Sequence, residues 1–311
     1  MATANQTQAA HPRGEAGSVR LTARDLAIFA DLQAHRVLPA RLIAWRHFPG
    51  DDGRPEGRPK ASWAVERRLL ALTRVGLLAR TRRPVRMGDG SAEYVYTLSA
   101  AGRAALAHGR DVVLPPTVTR GPADILFEDH TVAAAQVWAA LATACDRTEN
   151  LCVERWLSES EIRRLAARRQ AEDTWGDTPR PDGTGLLVLD GRHRARVYVE
   201  VDRHTASHKD LEAKARQYDR YLRVQRDQDA NAANTAAPPQ YLLCVALGER
   251  RLAHALDTFA AAIDPVGPLG GHMLGALLGD MTPDRILDQA VWTVAGAGAR
   301  RRLVQARLRP R

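Results

Sequence analysis

Two carboxylates at neighbouring strand ends can hold a divalent metal between them, and an ammonium nearby can steady an attacking water or a phosphate charge. The sequence offers such a set. Pro181-Asp182-Gly183 precedes one β-rich run, Glu200-Val201-Asp202 closes the next, and Lys209 and Lys214 follow. The chain has only three lysines, the third being Lys60, against forty-two arginines. Lysine is a compact point charge that can release its proton, which arginine cannot. Two of three lysines directly after an acidic cluster therefore direct attention to Asp182, Glu200 and Lys214, the kind of grouping that DNA cutting needs; Lys209 reads equally as solvated surface.

The elements that would position these residues can be read from periodicity. Leu186 to Leu189 and Ala195 to Val201 are two β-rich runs separated by Asp190-Gly191-Arg192-His193, the pattern of a hairpin. Antiparallel pairing can bring Asp182 and Glu200 together. Before the hairpin, Phe127 to Ala144 predicts an alanine-rich helix with His130 in its first turn. Leu151 to Leu157 predicts a strand, and Ser158 with Glu161 forms a capping box for a helix through Arg169. After it come a helix over 208–224, a buried strand over 241–247 and a helix over 251–262. The glycine-rich stretch 267–279 and the arginine-rich end 300–311 resist assignment.

The first third has a different character. Residues 1–120 carry 19 Arg or Lys against 10 Asp or Glu, whereas residues 121–311 carry 26 of each, so the whole formal charge of +9 lies in the first part. A charge excess confined to one region suggests a polyanion partner, usually nucleic acid. Thr22 predicts the N-cap of a helix through Leu26, Phe29, Ala30 and Leu32, and Leu42, Ile43 and Trp45 mark a second. Ser62 predicts the cap of a third, with Val65, Leu69, Leu72 and Leu77 on one face. Two strands around a basic, glycine-rich tip and a helix capped by Ser99 complete the order. Lys60, Arg67, Arg68, Arg82, Arg83 and Arg86 are the candidate DNA contacts, on the third helix and around the tip.

This first region resembles the winged helix-turn-helix domain of DNA-binding proteins, including the Tyr-Thr-Leu-Ser-x-x-Gly that follows the wing. The second resembles the PD-(D/E)xK nuclease core. Together they predict an α+β chain, an N-terminal winged helix-turn-helix plus a C-terminal α/β PD-(D/E)xK nuclease-like domain. The expected division is a disordered leader at 1–19, a winged-helix DNA-binding domain at 20–112, a linker at 113–124, the nuclease-like domain at 125–265, and a C-terminal extension with a basic tail at 266–311. The nuclease resemblance implies that Asp182 and Glu200 bind Mg2+ or Mn2+. It also implies a lysine two residues after the glutamate, where this chain has Asp202. Either Asp202 is a third metal ligand, or Lys214 or Lys209 supplies the ammonium, or the site is inactive and the fold only binds DNA.

Over residues 20–250 the chain is similar to the replication-relaxation family of plasmid and mobile-element proteins, on Pro181-Asp182, Glu200-Val201-Asp202-Arg203, Lys214 and Tyr218. That resemblance implies DNA binding in replication or transfer, with either a metal-dependent endonuclease or a non-enzymatic initiator or regulator in the second domain. The partners it implies are double-stranded DNA, a second copy as a homodimer (although no heptad seam marks one) and other replication or transfer proteins.

Other chemistries fare worse. No GxxxxGK loop or GxSxG elbow occurs. His204 and His208, with His193 and His130, raise a zinc alternative, but Thr205 and Ser207 read as a helix start. Tyr218 and Tyr221 read as packing residues of an amphipathic helix. Cys145, Cys152 and Cys244 lack CxxC spacing and read as reduced core residues. A polar beginning and the lack of an apolar run of spanning length predict a cytoplasmic, nucleoid- or plasmid-associated protein without a membrane partner.

Overall fold

The computed structural model describes residues 19–49, 63–82, 93–115, 125–171, 178–203, 206–231, 238–270, 272–287, 292–294 and 300–301. Lys60, Arg83, Arg86, His204, the Ser62 cap and the turn through Gly88 and Gly90 lie outside these residues, as does most of the expected leader and linker.

The chain is mixed α+β. Its first elements are α1 (Ala23–His35), β1 (Leu38–Pro39), α2 (Ala40–His47), α3 (Trp63–Arg74), β2 (Leu78–Arg82), β3 (Tyr94–Leu98) and α4 (Ala100–Arg110). The Thr22 cap is present as a full capping box, with Asp25 reaching back to the cap's N–H. The third helix stops before Leu77, which periodicity had placed on its face. Gly76 takes a left-handed φ of 76°. The N–H groups of Gly76 and Leu77 then close back on the carbonyls of Thr73 and Leu72, the Schellman arrangement that glycine makes inexpensive. Leu77 is released to lead into β2.

The three strands form an antiparallel sheet in the order β1-β3-β2. Ser99 caps α4 by accepting from the Gly102 N–H, and its hydroxyl also donates to the carbonyl of Leu77. This explains the Ser-x-x-Gly spacing, because a Cβ on Gly102 would sit 2.2 Å from the Leu77 carbonyl oxygen.

The remainder comprises α5 (Ile125–Asp146), β4 (Leu151–Ser158), α6 (Glu159–Ala171), β5 (Gly183–Leu189), β6 (His193–Asp202), α7 (His208–Asn231), β7 (Gln240–Ala246), α8 (Glu249–Ala262), β8 (Met273–Leu277), β9 (Trp292–Val294) and β10 (Arg300–Arg301). The seven strands form one sheet ordered β10-β9-β8-β7-β6-β5-β4. The β6–β7 and β7–β8 pairs are parallel and the others antiparallel. The Ser158–Glu161 capping box forms as the sequence suggests. His130 falls in the second turn of α5, not the first, because the helix begins two residues before Phe127, at Ile125. Asp190 and Gly191, both at positive φ, turn the β5–β6 hairpin, which the Arg192 N–H closes by donating to the Leu189 carbonyl.

Side-chain alternation along the central strands builds two cores. Val197, Val199 and Val201 of β6, with Leu243 and Val245 of β7, pack in one cluster with α5 and with Ile28, Phe29 and Leu42 of the first helices. Tyr198 of β6 and Leu242 and Cys244 of β7 pack in the other with Leu211, Tyr218 and Phe259 of α7 and α8. The first cluster runs without a break from the N-terminal helices to the large sheet. Arg41 of α2 reinforces that junction by donating to Gln136 of α5 at 2.9 Å, and Gln136 in turn donates to the carbonyls of Leu278 and Met281.

Two expectations are revised. The glycine-rich stretch contains β8, hidden from a pattern reading because Gly275 interrupts its apolar run; a Cβ there would lie 2.6 Å from Leu256 and 2.8 Å from Leu252. Cys145 and Cys244 are buried, but Cys152 is exposed on β4, which among the described residues is an edge strand paired to β5 alone. Among the described residues no helix is long and apolar enough to cross a membrane.

Candidate active site and basic surface

Asp182 immediately precedes β5. Its N–H donates to the Val199 carbonyl at 2.9 Å, extending the Gly183–Val199 pairing by one residue and setting Asp182 opposite Glu200. Its Oδ2 accepts from the Val201 N–H at 2.8 Å. Its Oδ1 lies 2.9 Å from Nε2 of His130 on α5. The hydrogen bond to Asp182 raises the pKa of His130 in spite of burial, which acts the other way.

Glu200 is 3 % exposed. Burial, only partly countered by the Lys214 ammonium and reinforced by the Asp182 charge, pushes its pKa up to about 7. Two donors from successive turns of α7 close on it. Lys214 Nζ bonds Oε2, and the fully buried Tyr218 hydroxyl donates to Oε1 at 2.6 Å. The spacing of four residues puts both on one helical face. Burial would lower the pKa of Lys214, but Glu200 and Asp182 together outweigh it and push it up to about 12. Burial, with Glu200 beside it, holds the Tyr218 hydroxyl well above its ordinary value. At neutral pH this is a protonated lysine and a neutral tyrosine closing on a carboxyl group that itself titrates in that range.

The structure thus brings together Asp182, Glu200 and Lys214. It does not bring Asp202 to them. The Asp202 side chain, 5 % exposed, accepts at Oδ2 from Arg251 Nε at 2.6 Å. Arg251 also donates to the Ala206 carbonyl at 2.5 Å. Among the described residues, no three of His, Cys, Asp and Glu stand close enough to hold a metal ion together. Asp182 and Glu200 are the two carboxylates that could share a divalent cation. Lys209 is exposed on the first turn of α7. His208 meets Thr258 at 3.0 Å and packs against His254. Sequence reasoning missed His130 as the partner of Asp182 and Arg251 as the partner of Asp202, and no local signal joins residues so far apart in the chain.

The basic residues of the first region take different roles. Arg67 on α3 is exposed and lies over the exposed Trp63 ring at 4.5 Å. Arg80 and Arg82 on β2 lie over Tyr94 at 4.6 and 5.0 Å. Arg68 instead turns inward. Its Nε donates to Oδ1 of Asp25 at 2.8 Å and its terminal nitrogen to Oδ2 at 2.5 Å, where Asp25 is 1 % exposed.

The sequence model of the replication-relaxation family matches residues 29–236. No curated protein matches the chain. Among solved structures, the restriction endonuclease FokI bound to DNA aligns over 85 % of this chain and 45 % of its own, at 11 % identity and a TM-score of 0.24. The chain therefore spans less than half the length of that protein, and so slight a likeness carries no argument.

Proposed function

The chain belongs to the replication-relaxation family, and from that premise we propose that it is a DNA-binding protein of plasmid or mobile-element replication or transfer, with a metal-dependent endonuclease site at Asp182, Glu200 and Lys214. The observation that carries the reading is the facing of Asp182 and Glu200 across the β5–β6 hairpin, with the Lys214 ammonium closing on Glu200 from α7. The run α5, β5, β6, α7, β7 supports a PD-(D/E)xK-like core. The helices α1 to α4 around the β1-β3-β2 sheet support a winged helix.

On this reading Asp182 and Glu200 hold Mg2+ or Mn2+, which when bound would neutralise phosphate charge beside the scissile bond. Lys214 replaces the lysine that the motif expects at position 202. An ammonium held near a pKa of about 12 keeps its proton, so its part is to stabilise negative charge on the phosphate and orient a water, and general-base catalysis falls to another group. Tyr218 fixes the Glu200 rotamer. Asp202, joined to Arg251, anchors the end of β6 to α8. Arg67 and Arg82 are the proposed phosphate contacts among the described residues, and Lys60, Arg83 and Arg86, which lie outside them, remain candidates from the sequence.

A second reading is a non-enzymatic initiator or regulator that uses the same domain for clamping DNA or pairing with a second copy. It is favoured by one observation, that no third metal-binding side chain joins Asp182 and Glu200 among the described residues. The purified protein, given supercoiled, linear and single-stranded DNA with Mg2+, Mn2+ or EDTA, separates the two: metal-dependent cutting supports the endonuclease, and binding without cutting on every substrate supports the regulator.

A further inference from the structure

The N-terminal ends of α1 and α3 flank a cleft of about 740 Å³, within the roughly 300–1,000 Å³ that small ligands occupy. Its lining includes Arg24, Asp25, Phe48, Ala64, Arg67 and Arg68. Asp25 neutralises Arg68. The other two cations rest on aromatic faces, Arg24 over Phe48 at 4.6 Å and Arg67 over Trp63 at 4.5 Å. A guanidinium held against a ring keeps its N–H edge directed outward and loses little freedom when it meets an anion. The cleft is therefore apolar within and doubly cationic at its walls.

Trp63 is the second observation. It is 71 % exposed, although an indole is costly to leave in water. Arg67 covers the ring from one side, and the side chain is otherwise largely exposed among the described residues. Bases in a duplex already stack on one another, so an open indole beside paired arginines suits a base that has left its stack.

We propose that this cleft and the exposed Trp63 beside it, joined through Arg67, bind an unpaired nucleotide of a single DNA strand, its phosphate held by Arg24 and Arg67 in the cleft and its base stacked on Trp63 at the rim. The proposal rests on the DNA-binding reading above and deepens it, since it makes the N-terminal region a reader of melted or single-stranded DNA as well as of duplex.

The test measures affinities of the full chain for a labelled single strand of a dozen nucleotides, for the same strand with an abasic site at each position in turn, and for the matching duplex. Trp63→Ala, Trp63→Phe and Arg24→Ala are compared with the unaltered protein, with thermal melting to verify folding. Trp63→Ala is expected to weaken single-strand binding by roughly 5- to 150-fold and duplex binding little, with Trp63→Phe recovering most of the loss. One abasic position should weaken the unaltered protein but not Trp63→Ala, because both changes remove the same contact. Arg24→Ala should weaken single-strand binding and flatten its salt dependence. Equal losses on single strand and duplex, or no loss on either, would overturn the proposal and leave DNA binding standing. If the unaltered protein bound neither DNA, both readings would fall together.

Discussion

Replacing Arg68 with alanine should unfold the N-terminal helices more readily rather than merely weaken a DNA contact. Arg68 links α3 to the capping box of α1 through two bonds to Asp25, and Asp25 also accepts from the Thr22 N–H and hydroxyl, each at 2.7 Å. Removing one partner of a buried pair costs about 3–5 kcal/mol, because the other charge is left in a low-dielectric site. The Asp25 side chain is 1 % exposed but that of Arg68 is 28 % exposed, so solvent screens part of the pair and about 2–3 kcal/mol is the reasoned loss. In a chain of 311 residues that corresponds to roughly 3–5 °C in Tm. The pH dependence follows from Asp25. Burial raises its pKa, yet the bonds from Arg68 and Thr22 outweigh burial and leave it lowered. A lowered folded pKa contributes stability that is present above the unfolded value of about 3.9 and is lost as pH falls through the folded value. The gap between Arg68→Ala and the unaltered protein should therefore be widest near neutral pH and narrow below about pH 4. Thermal melts from pH 3 to 8, with Arg67→Ala as the exposed comparison, decide it. A melt of Arg68→Ala that superimposes on the unaltered protein at pH 7 would refute the reasoning.

Gly102→Ala should destabilise by about 1–3 kcal/mol or more, since the new methyl meets a backbone oxygen that cannot rotate away; a denaturant midpoint unchanged from the unaltered protein would contradict the close approach of α4 to Leu77. Lys214→Met should raise the Glu200 pKa further above about 7, because the ammonium is the chief influence lowering it. Carboxyl NMR titration of the metal-free protein reads this, and a downward shift would reverse the assigned electrostatics. The raised Glu200 pKa also means that this group favours folding least above about pH 7, once both states carry the charge. Arg67→Ala with Arg82→Ala should weaken DNA binding and reduce the salt slope by about 2, with melting unaltered; an unchanged slope would remove both from the DNA surface.

Local chemistry made much of this fold readable. The caps at Thr22, Ser99 and Ser158 act within three residues of themselves, and Asp190-Gly191 determines its own turn, so these elements could be placed from short windows. The same holds for the facing of Asp182 and Glu200, which follows once the hairpin register is known. Pairings across long separations were not readable. Arg68 looks like any surface arginine of a basic helix until α1 brings a buried carboxylate to it. Asp202 stands where a lysine was expected, and only α8, arriving 49 residues later with Arg251, shows what holds it. His130 reaches Asp182 through helix placement alone. β8 was hidden by Gly275, whose missing side chain lets α8 lie against the strand.

The most direct test of the central claim is nicking of supercoiled plasmid DNA in Mg2+ or Mn2+ by the unaltered protein and by Glu200→Gln, with DNA affinity measured in parallel. Cutting that depends on the metal and disappears in Glu200→Gln while affinity persists is the predicted result. Cutting that continues undiminished in Glu200→Gln, or binding with no cutting in either metal, would contradict it.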